Sequence, residues 1–125
     1  MNYQKVLISV GTKKIEQCIS FYRAFLGISP SIYKESTYAE FQLEGLILAI
    51  FKPRVEEDEN FSNQDNRAPL SICLQVDNLE LTLLNLNNLG FVSPLKVDSA
   101  SNIREAHFYD PAGSRIILYD YFDPS

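Results

Sequence analysis

The strongest constraint on this chain is that its hydrophobic pattern is written twice. The first run, Lys5-Val6-Leu7-Ile8-Ser9-Val10-Gly11, is β-branched and apolar and reads as a largely buried strand. The period then changes. Ile15, Cys18, Ile19, Tyr22, Phe25 and Leu26 recur at spacings of three and four, which predicts an amphipathic helix over 14–26 with Thr12 as its N-cap and Gly27 as its stop. Short strands follow over 29–35 and 37–43, and the apolar run 46–51 is a buried strand ended by Pro53, which cannot donate to a central ladder. The sequence restarts at 70–76 with a second apolar strand, a turn at Asp77-Asn78, a leucine-rich helix to Leu89 and a stop at Gly90. Strands over 91–97, 103–110 and 114–121 complete it, the last two joined by the turn Asp110-Pro111-Ala112-Gly113.

In both halves a strand ending in valine (Val10, Val76) precedes a helix that stops at Gly27-Ile28 or Gly90-Phe91. The expected fold class is therefore α+β: two βαβββ modules, about 3–52 and 70–121, in a single domain of 125 residues. Paired edge to edge, the modules form a strongly curved mixed sheet around a cavity, with helices on the outside, the usual kind of place for a small ligand. Alternation sorts each strand. Positions 6, 8 and 10 face the first helix, while 5, 7 and 9, then 47, 49 and 51, 71, 73 and 75, and 115, 117 and 119 face the concavity. Residues 53–69 are acidic, Asn-rich and bounded by prolines, and read as a linker or flap.

Eleven Lys and Arg against sixteen Asp and Glu give a net charge of −5, so no basic footprint exists for a phosphate backbone or an anionic membrane. Nucleic acid and membranes are not expected partners. The opening Met1-Asn2-Tyr3-Gln4-Lys5-Val6 lacks the charged start and apolar core of a signal peptide, which implies a cytoplasmic protein. Cys18 and Cys73 sit in apolar contexts without metal-ligand spacing and are expected reduced and buried.

The strand ending Ile8-Ser9-Val10, the helix ending Phe21-Tyr22-Arg23-Ala24-Phe25-Leu26-Gly27-Ile28, the restart Val76-Asp77-Asn78-Leu79 and the segment Phe108-Tyr109-Asp110-Pro111-Ala112-Gly113-Ser114-Arg115-Ile116 together resemble the vicinal oxygen chelate superfamily. That group includes glyoxalase I, extradiol dioxygenases, and fosfomycin- and bleomycin-resistance proteins, and the likeness spans about residues 5–121. It implies a divalent metal held by His, Glu or Gln from the first and last strand of each module. By position those places fall to Lys5, Ala49, Ser71 and Ile117, and a cation, a methyl group and an isoleucine do not make a ligand set. The expectation is no metal and no cofactor. The resemblance also implies a homodimer, to which the leucines at 79, 81, 83, 84, 86 and 89, too many for one core face, add a sequence argument.

Chemistry is carried by few residues. His107 is the only histidine and a weak candidate for general base or ligand donor; its bland alternative is a partly exposed strand residue. Arg115 and Tyr119 share the inward parity of Ile117, and with Lys5, Glu105 and Tyr109 suit an anionic or aromatic ligand, or else form a surface ion-pair cluster such as Glu105 with Arg115. Phe51, Ser71 and Tyr38 complete the expected ligand-binding set, with Tyr33, Glu40 and Gln42 as further possibilities from the first hairpin. Cys73 lacks an activating base and reads as a small hydrophobe. Three functions follow: a metal-free small-molecule binder of the bleomycin-resistance-like type, a metal-independent lyase or isomerase using His107 with Arg115 and Tyr119, or a degenerate interaction module.

Overall fold

The computed structural model describes residues 1–2, 4–54 and 70–123, so most of the acidic segment 53–69 lies outside the described residues. The chain divides into two compact units, Met1–Asn66 and Arg67–Ser125.

In the first unit, β1 (Leu7–Gly11), α1 (Ile15–Leu26), β2 (Ile32–Lys34), β3 (Tyr38–Leu43) and β4 (Leu46–Phe51) form a four-stranded sheet in the order β1-β4-β3-β2. β1 runs parallel to β4, as the crossover through α1 requires, and the other pairs are antiparallel. The apolar stripe of α1 buries Ile15, Cys18, Ile19, Tyr22 and Phe25 against the sheet, where the Tyr22 and Phe41 rings lie 6.1 Å apart. Lys14, not Thr12, is the N-cap; Thr12 sits two residues earlier, its Oγ1 accepting from the Lys14 N–H at 3.0 Å. Gly27 ends the helix at φ 70°, a left-handed conformation in which its N–H reaches the Arg23 carbonyl.

The second unit repeats this with β5 (Ser71–Gln75), α2 (Leu79–Asn88), β6 (Lys96–Asp98), β7 (Ile103–Tyr109) and β8 (Arg115–Tyr121), in the order β5-β8-β7-β6. The architecture is thus α+β, two βαβββ modules each with a four-stranded mixed sheet, as the repeated pattern predicts. β6 is shorter than the 91–97 pattern predicted because Pro94 and the turn after α2 take up the preceding residues. Asn78 caps α2, its Oδ1 accepting from the Leu81 N–H at 3.1 Å. The Asp110 turn is closed by its own side chain, whose Oδ1 accepts from the Ala112 and Ser114 N–H groups at 2.9 Å.

Burial in β8 alternates strictly. Ile116, Leu118 and Asp120 are buried on the side of α2, whereas Arg115 and Tyr121 are exposed on the other. The buried carboxylate is fully used: Asp120 accepts from Arg104 Nε at 2.9 Å and NH2 at 2.6 Å, and from the Leu79 N–H at 2.7 Å. Arg104 also donates to Glu80 at 2.6 Å and covers the Phe122 ring at 5.7 Å. The Arg104 hydrogen bonds hold the Asp120 carboxyl below its usual range against the opposing effect of burial, and the Leu79 N–H adds to this.

Cys18 is buried as expected, but Cys73 is exposed, because its position on β5 belongs to the side away from α2. No helix among the described residues is long and apolar enough to cross a membrane.

Asp120→Asn removes the charge partner of a desolvated guanidinium, and the expected loss is about 3 kcal/mol, read as a lower urea midpoint. Because the folded-state pKa of Asp120 is depressed, its contribution is complete above the ordinary aspartate value of 3.8 and is lost as pH falls through the depressed one. Asp120→Asn therefore also flattens the acid limb of a stability-against-pH curve.

Candidate functional site

The side of each sheet that faces away from its helix follows from the strand registers. In the second unit it carries Ser71, Cys73 and Gln75 from β5, Arg115, Ile117, Tyr119 and Tyr121 from β8, and Glu105, His107 and Tyr109 from β7. Cross-strand rows align Ser71 with Arg115 and Tyr109, Cys73 with Ile117 and His107, and Gln75 with Tyr119 and Glu105.

This face is polar and its groups are paired locally. The His107 Nε2 lies 2.9 Å from Glu105 Oε1, the two side chains 20% and 39% exposed. Spacing of two on a strand puts both on one face, so the sequence held the signal; the alternative pairing of Glu105 with Arg115 is not made. Arg115 Nε instead donates to Ser71 Oγ at 2.7 Å. Tyr119 donates to Gln75 Oε1 at a long 3.5 Å, and its ring meets Tyr121 edge-on with centroids 6.0 Å apart. Position 75 was placed on this side by parity without a role, and Tyr121 was not singled out although it shares the odd-numbered parity that picked Arg115 and Tyr119.

In the first unit the corresponding face carries Leu7 and Ser9, Ile47, Ala49 and Phe51, and Tyr38, Glu40 and Gln42. Glu40 is only 4% exposed. Lys5 Nζ approaches its carboxylate at 3.2 Å and the Tyr38 hydroxyl donates to it. Bonding to Glu40 pushes the Tyr38 phenol up to about 12, aided by burial and by the carboxylate's charge. The Glu40 carboxyl is lowered by Tyr38 and, more weakly, by Lys5, in spite of its burial. Tyr33 falls on the other side of the sheet, where its hydroxyl donates to Glu16 of α1.

The positions that the resemblance assigns to metal ligands hold no donor set. Lys5 is committed to Glu40, Ala49 is 1% exposed with only a methyl group to offer, Ser71 is bound to Arg115, and Ile117 is apolar. Among the described residues no three His, Cys, Asp or Glu converge. A divalent ion needs three or four deprotonated donors, and these residues do not fit one.

No protein-family model matches the sequence, and no curated protein matches it. Solved structures do. The chain is similar to a glyoxalase/bleomycin resistance protein from Catenulispora acidiphila at 22% identity and TM-score 0.69, covering 96% of this chain and 100% of that one. It is similar to a genomically encoded fosfomycin resistance protein from Listeria monocytogenes at 18% identity and TM-score 0.72, over 98% and 96%. A bleomycin-binding protein complexed with bleomycin aligns at 14% identity and TM-score 0.67, over 96% and 100%. The chain has the fold of the vicinal oxygen chelate superfamily. At these identities the likeness fixes the fold.

Glu40→Gln replaces the anionic acceptor of Tyr38 by a neutral one. The expected result is a Tyr38 titration displaced from about 12 toward the ordinary 10.0, followed as the alkaline absorbance change lost in a Tyr38→Phe background.

Proposed function

We propose that the protein is a metal-free binder of a small anionic or aromatic molecule, of the bleomycin-resistance-like type, with the ligand on the face of the second sheet that lies away from α2. The observation that carries this reading is the state of Arg115. Arg104 is saturated by Asp120 and Glu80, and Lys5 by Glu40. Arg115 meets only the neutral Ser71 hydroxyl, and no carboxylate pairs with it among the described residues. A guanidinium oriented through Nε keeps its planar fork free for a carboxylate or phosphate. Tyr109, Tyr119 and Tyr121 on the same face supply aromatic area, and His107 a polar edge.

The structural likeness to a protein complexed with bleomycin supports a small-molecule ligand. Phe51 and Tyr38, on the face of the first sheet that lies away from α1, and Lys5, which bonds Glu40 there, are proposed as a ligand set of the first unit considered by itself. A homodimer belongs to the same reading: α2 buries Leu79 and Leu86 but leaves Leu81 and Leu84 more than half exposed. Sedimentation velocity then gives about twice the chain mass of 14.2 kDa.

Two results test the proposal. Arg115→Gln weakens a carboxylate ligand found by screening at least about tenfold, the worth of one charge-assisted hydrogen bond, with unchanged melting. Zinc, manganese and magnesium leave the melting temperature of the wild type where it was; near-stoichiometric metal in protein purified without chelator would overturn the metal-free reading.

A further inference from the structure

We propose that Ser71 and Arg115 together seat the phosphate of a monoester, with the organic group of the ligand lying over Cys73 and Ile117. The inference rests on the ligand-binding reading of this face and names the chemistry of what is bound.

Arg115 Nε donates to Ser71 Oγ at 2.7 Å, the two residues standing directly opposite each other on β8 and β5. That bond fixes what each group has left. It occupies one lone pair of the hydroxyl, so the Ser71 O–H proton remains to be donated, and a tetrahedral oxygen sends it off the line of the bond it accepts. The guanidinium keeps the N–H groups of its terminal nitrogens. Neither side chain has another partner among the described residues. The side-on clasp of a carboxylate, through Nε and one terminal nitrogen, is already taken by the hydroxyl, which leaves a planar anion only the end-on fork. A phosphate monoester presents three terminal oxygens at tetrahedral angles. It can therefore accept from the serine proton and from the guanidinium together, where a carboxylate must forgo one of them.

The surroundings suit a second negative charge and an apolar tail. The carboxylate that β7 places on this face, Glu105, lies two rows from Arg115 and is engaged by His107. In the row between them, about 7 Å along the strands, Cys73 is exposed and Ile117 partly so. Both are uncharged and apolar, so a ring carried on the ester oxygen covers them and gains by leaving water. Tyr109, opposite Arg115 on β7 and 58% exposed, adds an aromatic wall on the other side of the guanidinium.

The test uses the full chain with 1-naphthyl phosphate and 1-naphthoate, which differ in the anion and share the ring. Calorimetry reads affinity, and iodoacetamide uptake reads Cys73, since Cys18 is 0% exposed. The phosphate is expected to bind at least about tenfold tighter than the carboxylate, the worth of one further charge-assisted hydrogen bond, and to slow alkylation of Cys73. Ser71→Thr keeps that preference. Ser71→Val, of the same shape as threonine but without the hydroxyl, loses it. Equal affinities for the two anions, or a preference that survives in Ser71→Val, overturn the phosphate assignment and leave the anion-binding reading standing. Naphthyl phosphate that binds while Cys73 reacts at its free rate overturns the placement of the ring. Binding of neither compound overturns the anion-binding reading as well.

Discussion

The Asp120 carboxylate fixes which side of the second sheet is core. It is buried at 2% exposure, and a desolvated charge survives there because three donors, two of them from a guanidinium, serve its two oxygens. Arg104 ties it to the adjacent strand and the Leu79 N–H ties it to the first turn of α2, where the helix dipole favours a negative charge. One side chain thus registers β7, β8 and the helix together. With Asp120 pinned beneath α2, parity places Arg115, Ile117 and Tyr119 on the opposite, less buried side as a consequence of how the helix is anchored.

The first unit reaches the same architecture without that ion pair. Its helix is seated by Tyr22 against Phe41 and by fully apolar neighbours, and its buried charge, Glu40, lies on the side away from the helix. Main-chain bonds keep the repeat. The Thr12 N–H reaches Phe51 O at 3.0 Å, and the Val76 N–H reaches Tyr119 O at 2.9 Å, each joining the end of a first strand to its parallel partner. The duplication is therefore a property of the backbone, and the side chains in the two halves have been put to different uses.

The period of the pattern was enough to read eight strands and two helices from the residues, because burial against a helix forces alternation in the strand beneath it. Gly27 and Gly90 marked the helix ends for a local reason, both taking positive φ. What parity cannot reveal is who bonds to whom across strands. Arg104 and Asp120 are sixteen residues apart, joined only once β7 folds back on β8, and neither drew notice as a single charged residue in an apolar strand. Glu105 was visible but was matched to Arg115. Short spacing won: a neighbour at i+2 on the same face needs no long side chain to reorient, whereas Arg115 finds Ser71 in the adjacent strand. Cys73 was misplaced for a related reason, since an apolar sequence context does not say which side of an edge strand is covered.

The same register explains why a metal centre is not one substitution away. Ala49 lies directly opposite Glu40, whose carboxylate is already buried and served by Lys5 and Tyr38. A carboxylate introduced at 49 would face a second one across about 5 Å, and a like-charge pair in so dry a place costs more than either alone. A metal ion bridging the two would have to displace the Lys5 ammonium, which occupies the position from the first strand where a neutral imidazole or amide is required. A donor set in the first sheet would therefore take coordinated change at 5 and 49, with Glu40 either recruited or removed. The Lys5–Glu40 pair and the lack of a donor set at 5 and 49 are in this sense one arrangement.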